Sequence, residues 1–352
     1  MVGHILNVDL TDQQWDQAAL PVRWGGLGIR KTTQVAPSAY MASAAGVAEL
    51  VTAILPIGSV RRPDASIDRA LQMWKAFGGS TPPAGPEALI QKCWDQQVIR
   101  SVSESLFQAA TDDYTRARLR AVLAPHAGEW LNAPPISSVG LRLTNEALRV
   151  AVGLRLGANI CTPHVCRCSA LVDARGNHGL SCMKSAGRQL RHSMINDIIN
   201  RALIRARVAS SKEPSGLVAG HSLRPDGATL IPWTRGKCLA WDATCPDTVA
   251  QSHMTATSVT AGAAASQASN LKHQKYAALA TTHFFVPVAV ETFGPWNEEG
   301  INFISELGHR ITLVTGDPRE KSFLFQRISV AIQMGNAASC TGTLPLEQDE
   351  DG

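Results

Sequence analysis

No run of roughly 18 or more apolar residues occurs in this 352-residue sequence, so a membrane-spanning helix is not expected. The opening residues, MVGHILNVDLTDQQWD, lack the basic, apolar, small-residue order of a signal peptide, which leaves secretion unsupported as well. An intracellular, soluble chain is the expectation. Cysteine is scarce: eight residues are too few for a disulfide scaffold of this length, and four crowd between Cys161 and Cys182. That distribution favours a metal over bridges in a reducing compartment. There is no internal repeat. What remains, 45% hydrophobic and 18% charged, suits an ordered protein with room for two or three domains.

The net charge of +4 says little until it is localised. From Lys184 to Lys237 ten Lys and Arg face Asp197, Glu213 and Asp226, a local balance of +7, which leaves the rest of the chain near −3. Such a patch can be the footprint of a polyanion site, although solvated helix faces look the same.

The first 160 residues read as helical. Ala36 to Leu55, Glu87 to Ala110, Asp112 to Leu123 and Thr144 to Leu156 carry apolar residues at three and four spacing or in helix-forming runs. Stretches rich in Gly and Pro, Phe77 to Pro86 and Ala133 to Val139, separate them as connections would. The acidic end, LEQDEDG, reads as disordered.

The densest chemistry is CTPHVCRCSALVDARGNHGLSC. Cys166, Cys168, His178 and Cys182 offer three thiolates and an imidazole, a set suited to tetrahedral zinc, with Cys161 and His164 as alternates. So short and polar a segment has little core of its own, and a metal would supply its folding energy. Four protein ligands leave no open position, so the ion would be structural. Ordinary buried cysteines beside an unrelated histidine are the other reading.

Next, GRQLRHSMINDIINRALIRAR reads as an amphipathic helix with Ile195, Ile198, Ile199, Ala202 and Leu203 inward, and Arg188, Arg191, Arg201 and Arg205 on other faces, where they could meet phosphates. A short extended stretch with Glu213 follows, then a strand over Arg224 to Ile231, a turn at Pro232 to Gly236, and a strand from Lys237 to Thr244. In the last strand Asp242 alternates with the bulky Trp241, so it falls on the opposite face. A carboxylate beside a second one, Asp226, is costly unless a cation joins them. Mg²⁺, which takes a few carboxylate oxygens and keeps its waters, meets that need, as Mn²⁺ would. Ala261 to Leu279 reads as a helix, FFVPVAVETFG as a buried strand in which Glu291 is structural, and Asn297 to His309 and Pro318 to Gly335 as closing helices. Trp233, Trp241 and Trp296 could stack on bases, but tryptophan within a strand is more often core.

Helix, strand, strand with Asp, turn, strand with an acid is also the layout of the PD-(D/E)xK nuclease fold. Pro225 and Asp226, preceded by Arg224, match its "PD", and Asp242 matches the second acid. With the Cys/His cluster and the Gly187, Arg188, Arg191, His192 helix, the segment resembles the restriction-like endonuclease at the C-terminus of early-branching, site-specific non-LTR retrotransposon proteins. The stretch LPVRWGGLGIRKTTQVAPSAYMASAAG is similar to the end of such an enzyme's reverse transcriptase, where a GGLGI turn leads into the thumb helices. The likeness is strongest at 20–46 and 161–292.

The resemblance implies a multidomain chain with an all-α N-terminal half, a small zinc module and an α/β nuclease-like domain whose mixed sheet is flanked by helices. Its divisions would be a thumb-like segment at 1–60, a helical linker domain at 61–158, the zinc module at 159–183, the endonuclease at 184–340 and an acidic tail at 341–352. Asp226 and Asp242, with Glu213, would hold Mg²⁺ or Mn²⁺, and Arg188, Arg191, His192, Arg224 and Arg235 would hold DNA. Two departures matter. The polymerase palm is absent, so the chain reads as the C-terminal part of an element. Thr244 stands where the motif has lysine, so a lysine from the following helix, Lys275 or Lys272, would replace it. The expected activity is nicking of target DNA to prime reverse transcription, in the nucleus, with element RNA as a further partner and a homodimer left open. The alternative is a nucleic-acid-binding remnant that no longer cleaves.

Overall fold

The computed structural model describes residues 2–56, 64–218 and 223–344, so the acidic end lies outside the described residues. Two compact units divide the chain: Thr11–Thr111, and Asp112 onward together with Met1–Leu10. Among the described residues no helix is long and apolar enough to cross a membrane.

The smaller unit is helical. Its α1 (Thr32–Gly46), α2 (Ala65–Ala76) and α3 (Gln91–Ala109) share a core of Met41, Ala42, Ala70, Trp74, Trp94 and Val98. Trp74 and Trp94 meet edge to face at 5.0 Å. Both indole N–H groups donate to backbone carbonyls, of Trp94 and Ala88, which lets these rings be buried without an unpaired donor. In the GGLGI segment, Gly25 and Gly28 take φ of 80° and 76°, a region that a β-carbon would strain. The single helix expected over 36–55 is instead α1 and a shorter helix, Ala48–Ile54.

The larger unit begins with α4 (Asp113–Leu123) and α5 (Asn145–Leu156). Asp112 and Thr144 cap them, accepting from the Thr115 and Ala147 amides at 2.8 and 3.2 Å. A two-stranded ribbon follows, β1 (His164–Val165) against β2 (Leu171–Val172), and then α6 (Ala186–Arg205). After it come β3 (Ser210–Lys212), β4 (Gly227–Thr234), β5 (Lys237–Thr244), α7 (Ala263–Lys275), β6 (His283–Ala289), α8 (Glu298–Thr315) and α9 (Glu320–Thr341). The sheet has the order β3-β4-β5-β6; its first three strands form an antiparallel meander, and β6 joins β5 in parallel. A parallel neighbour demands a crossover, which α7 and the preceding helix Gln251–Thr257 supply.

One face of the sheet packs on α6, α8 and α9. Ile195, Ile199 and Leu203 of α6 meet Leu239 and Trp241 of β5, Val288 of β6, Ile304 and Leu307 of α8, and Ile328 of α9, all 0% exposed. Each contributes about 1.5–3 kcal/mol relative to exposure. The expected inward face of α6 is thus the observed one, with Ile198 packed at its edge. Trp233, Trp241 and Trp296 all belong to this core, so none offers its ring to a base. On the other face Ala228 and Ala240 pack with Tyr276, Leu279 and Phe285.

The strand expected over 224–231 starts three residues later and runs through Pro232, where the register with β5 shifts. Here β3 has already ended, so the proline lies along an open edge that asks for no N–H donor. The turn is only Arg235 and Gly236, both at positive φ, the two-residue geometry that suits a twisted hairpin.

Candidate functional site

Two groups of reactive side chains stand out in the larger unit. The first is the Cys/His group. Cys166 and Cys168 leave the β1–β2 ribbon, while His178 and Cys182 bracket a one-turn helix, His178–Ser181. Their ligand atoms all lie within 4.8 Å of one another. The Cys166 and Cys182 sulfurs are 3.8 Å apart, and Cys168 Sγ is 3.1 Å from His178 Nε2. Sulfurs bound at about 2.3 Å in a tetrahedron are separated by roughly that sulfur–sulfur distance, so the set could hold a metal such as zinc. A hydrogen bond from the backbone at Ala170, outweighing burial, and the neighbouring thiols and imidazole bring the Cys168 thiol down to about 7, towards the thiolate a metal requires. Neither alternate ligand joins. Cys161 Sγ lies 3.3 Å from the Asp173 carbonyl, and His164 Nε2 pairs with Thr343 Oγ1 at 3.0 Å.

The second group is the acid pair. Gly227 pairs with Trp241 and Ala228 with Ala240. Asp226 immediately precedes Gly227, and its Oδ2 accepts from the amide of Ala243, the residue after Asp242. Two carboxylates brought to neighbouring backbone positions repel. Gly227 makes the approach feasible, because a β-carbon there would come within 2.1 Å of the Trp241 ring.

Cations and donors from both helical layers converge to offset that repulsion. From α6, His192 Nε2 lies 3.1 Å from Asp226 Oδ2, which also accepts from the Ala243 amide at 2.6 Å. From α7, the Lys272 ammonium pairs with Asp242 Oδ1, and the Tyr276 hydroxyl donates to Asp242 Oδ2. The carboxylates keep little solvent, with side-chain exposures of 14% for Asp226 and 4% for Asp242. Burial pushes the Asp226 carboxyl up, but the His192 and Ala243 hydrogen bonds prevail and hold it below the usual range. The bond to Asp226 raises the His192 pKa in turn, against burial. Burial and the Asp242 carboxylate raise that of Tyr276, which stays a donor.

No family model matches the chain, and neither does any curated protein.

Beside the acid pair opens a groove of about 350 Å³ lined by Arg188, Gln189, His192, Thr244 and Cys245. Arg188 is exposed there, and among the described residues it has no ionic partner. The other expected DNA contacts are engaged within the protein or stand elsewhere. Arg191 is only 1% exposed and reaches inward to the Gly335 and Leu180 carbonyls, Asn336 and Ser339, so it clamps the Cys/His segment and α6 to α9. His192 is engaged by Asp226 rather than turned outward. Arg224 pairs with Glu213, which removes that carboxylate from the acid pair even though its amide bonds the Asp226 carbonyl. Arg235 sits at the hairpin tip, about 25 Å of strand from the acids. Of the two lysines, Lys275 lies over the Tyr276 ring, 4.6 Å from its centroid, while Lys272 makes the ion pair.

Three contributors had no assigned part at the site in the sequence reading. Asn196 accepts from the Trp241 indole and sits beside His192, and Tyr276 holds Asp242. A signal existed for both: His192 and Asn196, like Lys272 and Tyr276, are four apart on one helix face. Glu291, 0% exposed, accepts from the Ala264 and Ala265 amides and so anchors the first turn of α7, the helix that carries Lys272. Burial raises its pKa to about 7.

Proposed function

We propose that the larger unit is a metal-dependent phosphodiesterase of PD-(D/E)xK type that nicks DNA. The observation that carries the reading is the hydrogen bond that ties the Asp226 carboxylate to the Ala243 amide, one residue past Asp242, with Lys272 delivered to Asp242 by the following helix. The element order from α6 through β3 and β4 to β5 supports it, because the resemblance implies the same succession of a helix, a strand, a strand with Asp and a strand with an acid.

Paired carboxylates offer hard oxygen donors, the chemistry that Mg²⁺ or Mn²⁺ accepts, and Asp226 and Asp242 would hold such an ion. When bound, the ion would polarise the scissile phosphate and favour hydroxide over water. Lys272 would leave Asp242 for the attacking water or the charge developing on phosphate, taking the role of the lysine that Thr244 replaces. His192 would orient Asp226, and Arg188 at the groove rim would hold the DNA backbone. The Cys166, Cys168, His178 and Cys182 group would carry a structural zinc. In this reading the chain is the C-terminal part of a retrotransposon protein whose nick primes reverse transcription in the nucleus, with DNA and element RNA as partners.

A second reading, a nucleic-acid-binding remnant without cleavage, is favoured by the engagement of both Asp242 oxygens by Lys272 and Tyr276. Supercoiled plasmid with Mg²⁺ or Mn²⁺ separates the two. The nuclease predicts nicking that falls at least about 100-fold in Asp226→Ala and Asp242→Ala, clearly in Lys272→Ala and little in Lys275→Ala. Binding without nicking by the wild-type chain would establish the remnant.

A further inference from the structure

A second cluster of positive charge lies away from the acid pair. Arg201 follows His192 by nine residues, about two and a half turns, and so projects from the opposite side of α6. There it lines an open groove of about 440 Å³ together with Arg327 of α9, Asp197, Met194, Ile198 and Leu141. Among the described residues, neither arginine has a hydrogen-bonding or ionic partner. Arg327 Nε is moreover buried from solvent. Desolvating a cationic donor with nothing to accept from it is costly, so the arrangement asks for an acceptor. Asp197 does not supply it, because Lys212 engages its carboxylate. The groove is left with a buried Arg327 Nε that has no acceptor, and with the guanidinium of the exposed Arg201 beside it.

We infer that this groove between α6 and α9 binds a phosphate ester, with Arg201 and Arg327 on the phosphate and the sugar or base against Met194, Ile198 and Leu141. Guanidinium forks match phosphate oxygens in pairs, which a point charge such as ammonium does not. The apolar wall excludes a bare inorganic anion as the best-fitting ligand, and the volume falls in the usual range for small-molecule sites. A free nucleotide and a nucleotide within a single strand present the same chemistry. The site does not depend on the nuclease reading, since the acids lie across the helix.

The test uses the full chain and measures binding of uridine 5′-monophosphate, inorganic phosphate and a short single-stranded DNA oligonucleotide by calorimetry. Arg201→Gln and Arg327→Gln are each expected to weaken the nucleotide or the oligonucleotide about tenfold, with inorganic phosphate bound more weakly than either. Saturable binding of the mononucleotide assigns the groove to a free nucleotide, and an effect confined to the oligonucleotide assigns it to a strand; both uphold the site. If Arg327→Gln fails to fold, the exposed Arg201→Gln decides alone. Affinities unchanged by the substitutions, no binding of any probe by the wild-type chain, or binding abolished in Asp226→Ala would overturn the inference. Plasmid nicking is scored separately, so loss of one property is not mistaken for loss of the other.

Discussion

The Cys/His group and the acid pair belong to the same unit, but they are assembled from very different lengths of chain. Cys166 to Cys182 close a site within one short segment, whereas the acid pair draws His192 from α6, Asp226 from just before β4, Asp242 from β5, and Lys272 and Tyr276 from the end of α7. A local site with so small an apolar cluster, Cys166, Val172 and Cys182 with partly buried neighbours, would draw stability from an ion if its four ligands hold one. A distributed site is held by the fold, here the Trp241 core on one side of the sheet and the Tyr276 cluster on the other. Metal removal should therefore loosen the first from within, and only mutations in the scaffold should disturb the second.

The largest effect expected is on the local site. Chelation, or Cys182→Ser, should cost on the order of 5 kcal/mol or more, with amide exchange rising through 161–182 and into the start of α6. Calorimetry and hydrogen exchange with and without chelator check this. Unchanged protection would abolish the contrast between the two sites.

Arg191, next to His192 on α6, ties the Cys/His segment to α9, and its replacement sharpens where that region ends. Arg191→Met leaves the Leu180 and Gly335 carbonyls without their donor and should cost about 2–4 kcal/mol in urea unfolding. Within the acid pair the two lysines give an internal control. Lys272→Ala strands the buried Asp242 carboxylate and should cost about 1–3 kcal/mol, while Lys275→Ala should stay within about 0.5 kcal/mol.

The smallest effect is a pH dependence. Asp226 is held below its ordinary 3.8 and His192 above its ordinary 6.5. Their mutual stabilisation is complete between those two values. It fades as Asp226 takes up a proton at lower pH, and as His192 loses its proton above 6.5. His192 is 38% exposed in its side chain, so solvent screening limits the term to below about 1 kcal/mol. Urea midpoints across pH should fall on both sides for the wild type and flatten in His192→Gln.

Much of this was legible in the sequence. The ligand spacing, the alternation that sets Asp242 opposite Trp241, and the inward face of α6 follow from local chemistry and periodicity. The roles of the arginines did not, because a charge count does not reveal direction. Arg191 turns inward because Gly335 on α9 lets its side chain lie close, a β-carbon there falling within 2.2 Å of Arg191 Cγ. Nothing near Arg191 in sequence signals that neighbour. Glu213 was misplaced for a related reason: its φ of 48° follows the end of β3 and sends the side chain to Arg224. Helix α2 lacked a clear signature, its Ala70 and Trp74 being diluted by charged neighbours.

Divalent-ion binding tests the central claim most directly. Titration of the zinc-loaded chain with Mn²⁺, followed by electron paramagnetic resonance, should show at least one further equivalent bound, lost in both Asp226→Asn and Asp242→Asn and retained in Glu213→Gln. Mn²⁺ affinity indifferent to both aspartate substitutions would contradict the account.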